Sequence, residues 1–591
     1  MSFQRCLLAA SALTLSLSFG SAGHAEQAKP GSALVISGAT LFDATGNAPR
    51  KADVLVIDGR IAEVGTNVRK PKGARVLDAR GMSLLPGLFD LHTHWTPGGQ
   101  PNNAPQIAKA YALAGVTTVD DFHSQPEAYA PKREWLQGVI APHVNYIARV
   151  GTPGGHGTDW GDENTTKSIT TPDSARVAIR ELLPYRPDRI KIFNDGWRYG
   201  TSPNNNSVTE EALTALVDEA HKNDLKVVSH TVTVARGKEA ARAKVDVIVH
   251  SLQDGEVDAE LIALMKANNT AYAPTLAVYE PRPEKVAKAA PAVAEQTRRK
   301  FDYALHNTKA LHDAGILIAL GTDAGMPGTP HGWSTHRELE LLVQAGLTPE
   351  QALMAGTANS AKAMGLFEDR GTIEPGKRAD LLLVQGEPWR DIKAIEAVRS
   401  VVIDGRVVTQ GKSPVLTADP VAPKPVKAAS LIADFERADG RSSVDTIILR
   451  DTNGGMDRST IAHAITARDN TNHSLSLIGR MSSDKDASAG ITIPLTRGGF
   501  VATDARAFRG VRLAVRGEGV FALRITAANG TWNAAFDSGA AWQTIEIPFS
   551  AFKPGRDDAH WDASQLYSVG IAAHRPAGSK AWLEIDDVAF Y

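Results

Sequence analysis

Between residues 86 and 368 one pattern recurs: a short apolar run fit for a strand, then a stretch fit for a helix. The strand candidates read "GLFDLHTH", "VTTVDDF", "VNYIARV", "RIKIF", "KVVSH", "VDVIVH", "TAYAPTL" and "ILIALGTD". Helical stretches such as "TEEALTALVDEAHKN" and "DAELIALMKANN" fall between them. Strands alternating with helices over this length predict an α/β fold, a (β/α)8 TIM barrel. Chemistry in that fold gathers at the C-terminal ends of the strands. The segments on either side, 32–85 and 369–412, alternate apolar and polar residues between Gly-containing turns. They predict one small β-sandwich built from both flanks, with the barrel inserted. Residues 413–428 are a linker rich in Pro, Ala and Lys. From 429 to 591 the pattern is all β, and predicts a separate jelly-roll sandwich.

The strand ends carry the chemistry. His92 and His94 close the first candidate strand, Lys191 sits in the fourth, His230 ends the fifth, His250 the sixth and Asp323 the eighth. Residues i and i+2 of a strand point the same way, so His92 and His94 aim at one point. A lone histidine after an apolar run reads more simply as a core residue, and a lone aspartate as a turn or cap. Six such groups at six strand ends argue for convergence on the barrel mouth. In "RIKIF", Ile190 and Ile192 would face the outer helices and Lys191 the interior. Burying an ammonium is costly and favours the neutral amine. A neutral amine reacts with carbon dioxide to give a carbamate, an anion that two divalent cations would stabilise. The plainer alternative is a Lys191–Asp323 ion pair inside the barrel.

Bulk properties narrow the class. The 591 residues exceed one ordinary core, and the formal net charge of −2 lacks the basic surplus that a nucleic-acid or anionic-membrane partner would need. Arg5, the apolar run Leu7–Phe19 and "SAGHA" read as an export signal over 1–25, cleaved after Ala25, with a periplasmic or secreted address. That run is too short to span a membrane, and no later one is longer. The single cysteine, Cys6, lies within the signal, so any metal must rest on nitrogen and oxygen ligands.

Taken together, "HTH", Lys191, "SH", "VH" and "GTDAG" resemble the metal-dependent amidohydrolase superfamily. More narrowly, the chain resembles its imidazolonepropionase-like and Xaa-Pro dipeptidase (prolidase-like) branch. "LLPGLFDLHTH", "GGHG", "LTPEQALMAGTANSAKAMGL" and "GTIEPGKRADLLLV" support this, and the resemblance covers about 32–412. It implies two divalent metal ions, zinc by default, with manganese, cobalt or iron also fitting. His92, His94 and Asp323 would hold one and His230 and His250 the other, with carbamylated Lys191 and a hydroxide between them. Asp323 would be catalytic, taking the hydroxide proton and passing it to a leaving nitrogen. The substrate would be a small amide, such as a dipeptide or an N-acyl amino acid. The same site could serve an esterase, lactonase or organophosphate hydrolase, and the alternative outside enzymes is an inactive glycan-binding protein.

His156, Trp197 and Tyr272 are candidate substrate-binding residues; a surface loop for His156 and core packing for Tyr272 are their alternatives. "TTVDDF", "FNDGWRYG" and "VHSL" depart from the branch's pattern while leaving the metal set intact. The C-terminal module is similar to the galactose-binding-like sandwich of the complex I intermediate-associated protein family, on "LIADFE", "FRGVRLAVRGEG" and "LEIDDVAFY". That likeness suggests carbohydrate at Trp532, Trp542 or Trp561, with burial in the core as the alternative. Homo-oligomerisation stays open.

Overall fold

The computed structural model describes residues 33–95, 103–158, 164–197, 205–416, 422–453, 457–485, 487–557 and 559–591. The export signal, residues 417–421 of the linker and part of the Gly-rich loop after "RVGTPGGHG" lie outside the described residues.

The barrel forms as the alternation predicts. Strands Leu88–Thr93, Val116–Asp121, His143–Gly151, Arg189–Phe193, Lys226–His230, Val247–Val249 and Ala271–Ala273 follow in chain order, each parallel to the next. The eighth run closes the circle by single bridges, Ile318 to Tyr272 and Ala324 to Thr93. Backbone bonds such as Leu91 N to Leu320 O (2.8 Å) and Ala319 N to Tyr272 O (2.9 Å) tie it to both neighbours, and side chains take some of its other groups. The Leu320 N–H donates to Ser360 Oγ (3.0 Å), and Asn359 Nδ2 donates to the Ile318 carbonyl (3.1 Å). Outer helices start where a side chain can accept an orphan amide: Thr209, Thr233 and Asp258 each cap the helix that follows. Ile190 and Ile192 pack into the layer between strands and helices, while Phe89, Ile147, Val228 and Val249 fill the barrel interior.

The two flanks share one nine-stranded sheet. Strand Leu381–Gln385 lies antiparallel to Met82–Pro86, with Leu383 opposite Leu84. Ile36, Val54, Leu84, Leu381 and Val402 form its core. The C-terminal part is a two-sheet sandwich of eight and six strands closed over Leu475, Ile491, Val515, Leu523, Ile571 and Phe590.

Trp532 belongs to that interior and is corrected from a ligand platform to a core residue; Trp561, half-buried, packs against it edge to face at 5.3 Å between centroids. Trp542 lies under the guanidinium groups of Arg468 (4.3 Å) and Arg516 (5.3 Å).

The sandwich docks on the barrel through its second and third strand-to-helix connections. Arg441 pairs with the buried Glu127, and Phe500 meets Trp135 edge to face at 5.5 Å. Among the described residues no helix is long and apolar enough to cross a membrane.

Candidate metal centre and active site

All six groups expected at the strand ends come together in the mouth. The pairing of the first and second strands shifts between Asp90 and Thr93. Asp90 turns to Thr322 and Thr335, whereas His92 Nε2 lies 3.2 Å from Lys191 Nζ. His94 Nε2 is 3.3 Å from His92 Nε2 and 2.9 Å from Asp323 Oδ1. Asp323 Oδ1 is also 3.3 Å from His92 Nε2. His250 meets the His92 ring at 4.6 Å and the His230 ring at 4.2 Å between centroids. His92, His250 and Asp323 each offer a ligand atom within 4.8 Å of the others.

Two of these residues hold strained backbone. His250 (φ 77°) and Asp323 (φ 60°) occupy the left-handed region that residues with a Cβ rarely adopt. Hydrogen bonds from His250 N to Ala273 O (3.0 Å) and from Asp323 N to His92 O (2.8 Å) hold them there. Thr275 is also left-handed (φ 47°), and its hydroxyl reaches His250 Nδ1 at 3.0 Å. Such strain persists where the surroundings over-determine it, commonly at working sites.

Burial sets the charge state. It holds His94 down to about 4 and His230 to about 3, and pushes His92 and His250 well below the usual histidine value. Burial likewise drives Lys191 far below the normal lysine value; Lys191 is 1% exposed, with Phe122 and Phe193 rings 4.8 and 5.2 Å from its Nζ. For Asp323 burial acts upward, but hydrogen bonds from His92 and His94 outweigh it and keep the carboxylate ionised. The mouth is thus lined by neutral imidazole lone pairs, a neutral amine and one carboxylate. His92 Nδ1 and His230 Nε2 are buried without an aligned hydrogen-bond partner. A buried cluster of neutral imidazoles, an amine and a carboxylate suits divalent cations.

His156 and Asp195 complete the far side. His156 Nδ1 is 2.8 Å from Asp195 Oδ2, the same oxygen lies 3.1 Å from His230 Nε2, and the two imidazole centroids are 4.2 Å apart. Burial would raise the Asp195 pKa, but His156 and His230 hold it far below the carboxylate range. These three form a second ligand-competent group. Gly157 lets the loop approach, because a Cβ there would meet the Phe193 ring at 2.3 Å. Trp197, half-buried two residues beyond Asp195, is 5.3 Å from Lys300 Nζ.

Tyr272 is corrected. It packs in the helix-facing layer, fully buried, and its hydroxyl accepts the Leu252 N–H at 3.0 Å. Ala271 and Ala273 face the interior instead. The strand's two-residue alternation decides this, and the register of "TAYAPT" could not be fixed without a partner strand.

Sequence reasoning passed over Asp195, His123 and Arg149. His123 Nδ1 is 2.9 Å from His94 Nδ1, and its place after "DDF" at a strand end was a usable signal. Arg149 lies over Phe193 at 5.1 Å.

The chain is 28% identical over 360 residues to an imidazolonepropionase of Deinococcus deserti, spanning 58% of this chain and 87% of the relative. An imidazolonepropionase of Porphyromonas gingivalis strain W83 is 25% identical over 390 residues, 60% of this chain and 87% of the relative. Among solved structures, a putative prolidase from Bifidobacterium longum superposes with a TM-score of 0.58 at 27% identity, over 66% of this chain and 97% of that one. A Xaa-Pro dipeptidase with bound methionine shares the fold, with a TM-score of 0.57 at 24% identity over 64% of this chain and 100% of that one. The amidohydrolase family model matches residues 83–408, the barrel with the sheet strands that border it, and the chain belongs to that family of metal-using hydrolases, acting on carbon–nitrogen bonds.

Proposed function

We propose that this chain is a binuclear metal-dependent hydrolase that cleaves the amide bond of a small substrate, such as a dipeptide or an N-acyl amino acid. The observation that carries the proposal is the crowding of His92, His94, Lys191 and Asp323, with nitrogen facing nitrogen at 3.2 and 3.3 Å. Those two imidazoles, the neutral amine and the carboxylate bring nitrogen and oxygen donors to one buried point, the set that divalent cations take. His92, His94 and Asp323 would hold one ion, zinc by default, and His230 and His250 the other. A carbamate on the neutral Lys191 amine would add a negative charge between them. When bound, such a metal pair lowers the pKa of water to near neutrality and polarises a carbonyl.

The chain's residues divide the rest of the work. Asp323, ionised and seated against both His92 and His94, takes the proton of the attacking water and delivers it to the departing nitrogen. His156, fixed through Nδ1 by Asp195, presents its other ring nitrogen for substrate orientation. Trp197, two residues beyond Asp195 in the chain, would add an aromatic face for the substrate.

The test is Lys191→Ala, assayed on a matched panel of dipeptides, N-acyl amino acids and their ester analogues. Wild type is expected to turn over an amide, and the variant to lose about 10²-fold or more in kcat. Turnover untouched by the substitution contradicts the proposal, and hydrolysis confined to esters would shift it to ester chemistry.

A further inference from the structure

The appended sandwich reaches the loop that carries His156. The Arg458 guanidinium donates through Nη2 to the backbone carbonyl of Thr158. Thr158 is 2% exposed, and its hydroxyl bonds back to the carbonyls of Thr152 (2.6 Å) and Gly155 (2.9 Å). That closes a tight turn over residues 152–158 with His156 at its apex, facing Asp195 and His230. A second tie lies just beyond. Asn164 and Arg450 exchange side-chain-to-backbone hydrogen bonds of 2.7 and 3.0 Å. The neighbouring Thr165 hydroxyl accepts from Arg149 Nη1 at 3.1 Å, and the Arg149 guanidinium stands over Phe193 beside Lys191.

Both contacts fall on the mouth loop that supplies His156. The remaining sandwich contacts, at Glu127 and Trp135, touch the barrel on the preceding connection. On the barrel side the loop is held by Asn206, whose N–H donates to the Gly154 carbonyl (3.1 Å) and whose Nδ2 donates to the Pro153 carbonyl (2.9 Å), and at Thr158 by Arg458 of the sandwich. Gly154, Gly155 and Gly157 leave its backbone free to take other conformations, so an external donor has more to fix here than in a regular element.

We propose that the C-terminal sandwich is a positioning element of the hydrolytic site: Arg458 clamps the Thr152–Thr158 turn so that His156 faces Asp195 and His230. The inference rests on the reading of His156 as substrate-binding, but its structural half stands apart from any activity. The sandwich is then required by the site without binding substrate, and Arg458 is a positioning residue.

The experiment is amide hydrogen exchange on the full-length chain, comparing wild type with Arg458→Met, Arg458→Lys and the interface control Arg441→Met. Methionine keeps the apolar stem and removes the donors. Arg458→Met is expected to speed exchange of residues 152–158 about tenfold while the barrel strands stay protected. Arg458→Lys, which keeps a donor and the charge, restores most of the protection. Arg441→Met leaves the turn at its wild-type rate. An unchanged turn in folded Arg458→Met overturns the proposal, as does an equal response to Arg441→Met. If Arg458→Met does not fold, Arg458→Gln, which is polar but too short to reach the Thr158 carbonyl, decides: faster exchange at 152–158 alone supports the clamp, and an unchanged turn or protection lost throughout the sandwich overturns it. A responsive turn beside a failed Lys191→Ala test separates the two readings, sinking the activity and leaving the clamp.

Discussion

At Asp195 one carboxylate oxygen serves two imidazoles, His156 at 2.8 Å and His230 at 3.1 Å. It stays ionised despite burial because both rings favour its charge. An anion in that position raises the basicity of His230 and fixes its ring, which is what a metal ligand needs. Asp195→Ala is therefore expected to weaken binding of the second equivalent of zinc about 10–100-fold, with the first equivalent little changed. Titration against a chromogenic chelator checks this, and two unaltered binding steps would contradict it. Lys191 was legible in the sequence because strand alternation sends it inward between two isoleucines. Asp195 was not, because it follows the strand in "FND", where an Asn-Asp pair reads equally well as a turn.

Among the elements, the junction between barrel and small sheet depends on Asp369. Its carboxylate meets Arg60 at 2.7 Å, Arg370 at 2.9 Å and Arg378 at 2.9 Å, tying the chain after the last barrel helix to the N-terminal flank. Burial pushes its pKa up, but Arg378, Arg370 and Arg60 prevail and hold it below the usual carboxylate value. A depressed carboxylate stabilises the fold above its unfolded pKa of about 3.9, and that contribution is lost as pH falls through the folded value. Asp369→Asn should then cost about 1–3 kcal/mol near neutrality. Thermal denaturation checks this. The gap between variant and wild type should narrow below about pH 4, and a gap independent of pH would contradict the assignment.

Seven barrel strands were legible from apolar runs with turn signals. The eighth was legible as a strand, but its irregularity was not. Nothing in "ILIALGTD" reveals that Ser360 and Asn359, some forty residues on, bond the Leu320 N–H and the Ile318 carbonyl. Tyr272 failed for a related reason: one residue of register exchanges the mouth for the helix layer.

For the whole molecule, the sequence announced the parts and not their joints. The composite sheet could be inferred because both flanks carry the same alternation, and Leu383 does lie opposite Leu84. The docking of the sandwich could not, since Arg458 and Thr158 are far apart in sequence and each looks like ordinary surface chemistry. On the proposed reading, a barrel that gathers six strand-end groups, with an appended domain docked on one side, would hold two cations. The most direct measurement is elemental analysis of purified full-length protein after zinc reconstitution, paired with anomalous diffraction at the zinc edge. Two ions per chain are expected, one beside His92, His94 and Asp323 and the other beside His230 and His250. Less than one ion per chain, or anomalous density away from those side chains, would contradict the account.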